Sequence, residues 1–359
     1  MAETMYTYIN EQPAVLNTML QTRQTAWTVF AQLLQSHRLD KLIFTASGTS
    51  YHAAAAAKHF LENILDMEVE VVYPFSFIHY ENRLSPHSMV IGISQGGGST
   101  ATIDALRKAE AKGCLTAALT ANEHGQIVKA ALHSILIPCG EEKVVFRTKG
   151  YTSTLLALYM MALEAALVTG KINNQLYTSY LADLEQLIAG MSSIVSLSDH
   201  WYGRNQQQLQ QAKKIVIVGY GPNFATALEG GLKLNETVRC PVNAYELEEF
   251  MHGPHLSLDQ SSYVFLIASQ GAGQERILAL YDYLQQVTPY TYLIVNEERE
   301  CFRPEKDLNI FSDSSEVFSP LEFVIPFQIL SYRLSADKEI DLTVPKYPDF
   351  HQRLKTKIK

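Results

Sequence analysis

Hydroxyl-bearing residues and glycines gather at Ser47-Gly48-Thr49-Ser50-Tyr51 and again at Ser94-Gln95-Gly96-Gly97-Gly98-Ser99-Thr100. Each group follows a short β-prone run and precedes a stretch of helical propensity. Glycine lets a backbone come close to an anion, and hydroxyls and the N–H groups of a following helix can donate to it. The chemistry on offer is phosphate binding by Thr49, Ser50, Ser94, Gln95 and Ser99. Two plainer uses compete, a helix cap made by Thr49 or Ser50 and a flexible turn made by the three glycines. Three successive glycines are costly in chain entropy, which favours a ligand for that loop. The G-x-G-x-x-G spacing of a dinucleotide site is absent.

A second chemistry is offered by Glu229-Gly230-Gly231-Leu232-Lys233-Leu234-Asn235-Glu236, followed by Tyr245 to Pro254. On a helix Lys233 and Glu236 are three apart and share a face. Proton transfer at carbon needs a carboxylate base, and opening a sugar ring needs an acid–base group such as His252. A surface ion pair and a histidine at a helix C-terminus would use the same residues without chemistry. By spacing alone, Glu246, Glu248 and Glu249 are equal candidates for the acid.

These residues require strands that end at the glycine turns and helices that start there. KLIFTASGTSYHAAAAAKHFLE from Lys41 and KIVIVGYGPNFATALEGGLKLNE from Lys214 share one plan, with Gly48 falling on Gly221 at an offset of 173. MVIGISQGGGS from Met89 matches VFLIASQGAGQ from Val264 at an offset of 175. Two anchors at nearly constant offset indicate a tandem duplication. In the second copy Gly221-Pro222-Asn223 keeps the turn and loses both hydroxyls, which predicts one phosphate pocket, in the first half. The spacing predicts strands at Leu42–Thr45, Glu68–Val72, Met89–Ile93, Thr116–Leu119 and Ser134–Pro138, with a helix over Thr100–Ala111. The fold class is therefore α/β, two tandem three-layer αβα domains with mainly parallel sheets. Their expected extents are 1–170 and 171–333, with a polar tail over 334–359, and ligands belong outside the carboxyl ends of the strands.

Composition narrows the partners. Of 359 residues, 47% are hydrophobic and 18% charged, which is a globular balance, and the net charge of −8 argues against nucleic acid. The scattered Cys114, Cys139, Cys240 and Cys301 suit buried thiols of a reducing compartment, neither a disulfide frame nor a metal site. No signal peptide is legible at the N-terminus, and Leu155–Val168 is too short and too polar to span a bilayer, reading instead as a core helix. A cytoplasmic protein that needs no cofactor, metal or membrane is expected.

The quoted motifs resemble the double sugar-isomerase (SIS) family, and within it the isomerase domain of glucosamine-6-phosphate synthases. The resemblance runs from Glu11-Gln12-Pro13 to Asp341 and Pro345. The family's G-T-S-Y-H-A is present as Gly48–Ala53, S-Q-S-G-E-T as Ser94–Ser99 and S-T-K-A-F-T as Arg147–Thr152, while E-G-x-L-K-L-x-E and x-H-G-P are intact at Glu229–Glu236 and Met251–Pro254. It implies that Thr49, Ser50, Ser94, Gln95 and Ser99 hold a sugar phosphate and that Glu236 transfers a proton. It also implies that Lys233 lies near C1 and C2 of the sugar. His252 would open the ring from the partner subunit, which makes the protein a homodimer with shared active sites.

Departures from the family pattern redirect the expected reaction. Gly96 replaces a phosphate-binding serine, Gly98 an acidic residue, and Phe146 and Arg147 small residues beside the sugar. Phe350 falls where the synthases have a lysine that reaches the sugar, and no glutaminase or cysteine precedes Cys114, so glutamine-derived ammonia is not expected. These changes fit members that resemble fructoselysine- and glucoselysine-6-phosphate deglycases. The expected substrate is a phosphorylated sugar–amine, with Arg147 a candidate for meeting its carboxylate. An aldose–ketose isomerase or amino-sugar phosphate deaminase using the same residues is the near alternative, and a non-catalytic sugar-phosphate sensor the distant one.

Overall fold

The computed structural model describes residues 3–297 and 299–358. Helices α1 (Met5–Gln21), α2 (Arg23–Ala26) and α3 (Thr28–Ser36) lead into β1 (Lys41–Thr45), α4 (Thr49–Leu65), β2 (Glu68–Val72), α5 (Pro74–Tyr80) and β3 (Ser88–Ile93). Then come α6 (Thr100–Ala111), β4 (Leu115–Thr120), β5 (His133–Leu136), α7 (Lys149–Val168) and α8 (Asn174–Leu209). The second run is β6 (Ile215–Gly219), α9 (Pro222–Thr237), β7 (Val242–Glu246), α10 (Leu247–Met251), β8 (Tyr263–Ala268), α11 (Gln274–Leu284), β9 (Thr291–Val295) and β10 (Leu308–Asn309). Helices α12 (Pro320–Asp337) and α13 (Phe350–Arg353) follow.

Two five-stranded sheets result, ordered β2-β1-β3-β4-β5 and β7-β6-β8-β9-β10, and every pairing is parallel. The two orders are the same order, as a duplicated chain requires. Strands β3, β6, β8 and β9 are buried at every residue, the mark of sheets covered by helices on both faces. Each copy is thus a three-layer αβα domain. In the first, Ile43 and Val90 face a cluster with Phe77 of α5 and Ile103 and Leu106 of α6, while α4 packs against α7. In the second, Val218, Leu266 and Leu293 face Ile277 and Tyr281 of α11, and α9 packs against α12.

By compactness the chain falls into two discontinuous units. The first-half unit holds Ala14–Lys143, Lys149–Ala182 and Val344–Lys359, and the second-half unit Met1–Pro13, Val144–Thr148 and Asp183–Thr343. The polar tail expected from residue 334 starts later, because α12 continues to Asp337 and buries Leu334 and Ser335. Helix α7 is long and apolar enough to cross a membrane by length and composition, yet 83% of its apolar 18-residue window is buried inside the fold. All four cysteines are free thiols. Cys114 and Cys139 are buried as expected, whereas Cys240 and Cys301 are only half-buried, and burial raises the pKa of each.

Candidate functional site

The strand order reverses between β1 and β3, so the loops leaving their carboxyl ends diverge and open a crevice there. Gly48 ends the first loop with φ 57° and ψ −136°, a conformation that only glycine adopts readily. Its counterpart Gly221 has φ 52° and ψ −136°, so the duplicated turn is preserved in conformation as well as in type. Gly48 itself occupies the N-cap of α4 and has no side chain with which to cap it. Neither Thr49 nor Ser50 is therefore the cap; they form the first turn of the helix, whose N–H groups have no partner within the helix.

The second loop closes on itself. The Ser99 N–H donates to Ser94 Oγ at 3.3 Å, and Ser99 Oγ accepts from Thr102 Oγ1 at 2.9 Å. Gln95 lies along α7, where a Cβ on Gly150 would stand 2.1 Å from Gln95 Nε2. The glycine at 150, where the resemblance has alanine, makes room for that amide. The N-terminus of α7 is already satisfied by a carboxylate, since the N–H of Lys149 and Gly150 donate to Glu142 at 3.3 and 2.9 Å.

Packing explains two of the three glycines in this loop. Gly97 has φ 75°, and a Cβ there would be 2.6 Å from Gly125 Cα. A Cβ on Gly98 would be 2.4 Å from the Ile358 carbonyl oxygen. The C-terminal segment reaches this loop as a short antiparallel bridge between Lys357 and Ser99. The Ile358 N–H donates to the Gly98 carbonyl at 2.8 Å, and the Thr100 N–H donates to the Thr356 carbonyl at 3.2 Å. The replacement of the family's acidic residue by Gly98 thus makes space for the tail. Beside the first loop Tyr51 stacks on Tyr73 at 4.0 Å, and burial pushes its hydroxyl up to about 12. Sequence reasoning missed the roles of Glu142, Tyr73 and the tail; the Gly98 and Gly150 departures were the only signals of them.

In the second-half unit, α9 places Glu229, Lys233 and Glu236 on one face. Lys233 Nζ lies 3.6 Å from Glu229 and 2.7 Å from Glu236. This is no surface ion pair, because Lys233 is 2% and Glu229 1% exposed, while Glu236 remains 33% exposed. A buried ammonium between two carboxylates is held by close opposite charge and in turn restrains the more open one. His252 terminates α10 as the sequence predicts, is 76% exposed and lies 3.9 Å from Glu248. Glu246 is committed to capping α10, accepting from the N–H groups of Glu248 and Glu249 at 2.7 and 3.0 Å. Glu248 pairs with Arg276, whose hydrogen bond keeps its carboxyl below the usual range. Of the alternative acids, Glu249 alone has no such assignment. Arg147 is half-buried in Val144–Thr148.

The SIS domain pattern matches residues 33–164 and 208–336, the two copies in turn. The chain belongs to the SIS domain family. A glutamine–fructose-6-phosphate aminotransferase (isomerizing) from Gloeobacter violaceus is 28% identical over 349 residues, covering 94% of this chain and 56% of the relative. The chain therefore spans about half the length of the curated relatives it matches. A provisionally named phosphosugar isomerase structure from Clostridium difficile 630 superposes with TM-score 0.91 at 29% identity, covering 98% of each chain. A glucosamine-6-phosphate deaminase structure from Thermotoga maritima shares the fold, with TM-score 0.76 at 19% identity over 96% of this SIS chain and 97% of its own.

Proposed function

We propose that this SIS protein is a phosphosugar enzyme that cleaves a hexose 6-phosphate joined to an amine, releasing a sugar phosphate and the free amine. The carrying observation is the Glu229–Lys233–Glu236 ladder on α9, in which a buried ammonium holds one partly open carboxylate. A sensor would have no use for that arrangement. In this reading Thr49, Ser50, Ser94, Gln95 and Ser99 hold the phosphate. Glu236 takes a proton from C1 and returns a proton to C2, while Lys233 stabilises the charge that develops on the C2 oxygen. The C1–N bond is thereby converted to an imine, and water hydrolyses it to an aldehyde and the amine. His252 opens the sugar ring, supplied by the second subunit of a homodimer. Arg147 is the candidate for meeting a carboxylate on the amine portion.

The preference for cleavage over amination rests on Gly98, Arg147 and Phe350, which replace residues of the synthase pattern. Isomerisation or deamination of an amino-sugar phosphate would use the same ladder, and the deaminase of like fold keeps that reading in play. Incubation with fructoselysine 6-phosphate, glucoselysine 6-phosphate and glucosamine 6-phosphate, with assay of free amine and hexose phosphate, separates them. Release of lysine with hexose phosphate is the expected result. Turnover of glucosamine 6-phosphate alone would establish the deaminase, and tight binding without turnover of any would establish a sensor.

A further inference from the structure

The duplication left a second crevice, between β6 and β8, and it has been put to a different use. A Cβ on Gly271 would lie 2.2 Å from Glu316 Oε1 and one on Gly221 would lie 3.1 Å from it. A carboxylate therefore sits among the glycines where the first copy would receive its anion, and a phosphate is repelled there. Beside it is a cavity of about 520 Å³ within the second-half unit, bounded by α8, Gln270, the 310–315 segment and the start of α12. That volume lies in the range of small-molecule sites.

The charge of this cavity is one-sided. Glu322 lines it at 1% exposure and accepts hydrogen bonds from Ser312 Oγ at 2.6 Å and from Ser314 Oγ. Asp183 and Asp313 also line it, and no lysine or arginine does. A buried carboxylate with hydroxyl partners only is left without its counter-charge, a cost relieved by taking up a proton or by receiving a cation. Burial accordingly raises the Glu322 pKa, against the lowering effect of the two serines. Polar capacity is also unmet nearby. Ser269 Oγ, immediately before the lining residue Gln270, is buried without a hydrogen-bond partner. Leu187 and Ile194 supply an apolar wall on α8. A cation with N–H donors on a hydrocarbon stem suits both the carboxylate and this wall.

We propose that this cavity is a second ligand site, for a small organic ammonium ion with a short hydrocarbon stem. The ammonium donates to Glu322 and the stem lies on Leu187 and Ile194. The site stands independently of the reaction proposed above, because its ligand and its test involve neither the phosphate loops nor α9. Calorimetric titration of the full chain with n-pentylamine and with L-lysine, against 1-pentanol as the neutral control, tests it. Saturable binding of an amine but not of the alcohol is expected. Glu322→Gln should weaken it about tenfold or more. Gly190 lines the cavity and a Cβ there meets nothing within 4 Å, so a side chain can start at that point, and Gly190→Phe, which would occupy the space, should abolish amine binding. Inorganic phosphate binding should be unchanged in both variants, which shows that they are folded. Absence of saturable amine binding, or binding that survives both substitutions, overturns the proposal.

Discussion

Lys233 is the residue on which the α9 cluster depends. An ammonium is almost never fully buried without carboxylate partners, because its desolvation is repaid only by close opposite charge. Here the partners differ in access, Glu229 being sealed at 1% exposure and Glu236 open at 33%. That asymmetry marks Glu236 as the group that can reach a substrate. Glu236→Gln keeps the size and the hydrogen-bonding reach of the side chain while removing its basicity. Turnover should fall by about 10²–10⁴-fold, with inorganic phosphate binding and melting temperature preserved. A variant with undiminished kcat would remove Glu236 from the chemistry and leave the ladder as a packing device.

At the scale of elements, the C-terminal segment and the Ser94–Ser99 loop are mutually fitted. The bridge at Lys357 and Ser99 brings the Ile358 carbonyl to where any side chain at position 98 would start. Gly98→Glu restores the residue type of the family pattern, but places its Cβ 2.4 Å from that oxygen. Since the loop is held by Gly97 against Gly125, the tail is the part that gives way. Amide exchange at Ile358, whose N–H donates to the Gly98 carbonyl at 2.8 Å, should accelerate. The change expected is about tenfold or more. Unaltered protection of that amide would mean that the tail docks without needing the glycine.

For the whole molecule, the question is whether one chain or two supply the groups of one working site. We propose that His252, exposed on its turn at 76%, acts in the second subunit's site. Two inactive variants, Glu236→Gln and His252→Ala, then complement each other when mixed subunits form. One of the two sites in a mixed dimer carries both intact groups, so recovery of about a quarter of wild-type activity is expected after subunit exchange. If each chain supplied its own histidine, every site in the mixture would lack one group and no activity would return.

Strand β2 was legible to the residue as Glu68–Val72, because its β-branched run stands between a helix end and Pro74. The edge strand β5, expected at Ser134–Pro138, spans His133–Leu136, starting one residue earlier and ending two earlier, since the apolar run Ile135–Ile137 marks a strand but not where its pairing stops. The pairing of Lys233 with Glu236 was equally legible, being a consequence of helix period alone. The run of glycines was misread in part, because Gly97 and Gly98 answer to Gly125 and to the tail as well as to any ligand.

The sequence by itself determined the duplication, the α/β class, the glycine turns at 48 and 221 and the i,i+3 spacing on α9, all of which depend on near neighbours in the chain. Tertiary structure alone decided that Lys233 is buried, that Glu316 fills the second cradle and that residues 356–358 lie on the first. The tail and the Ser94–Ser99 loop meet across more than two hundred and fifty residues. No local pattern encodes such a meeting, because it is fixed by which surfaces remain to be covered once the sheets and helices have packed.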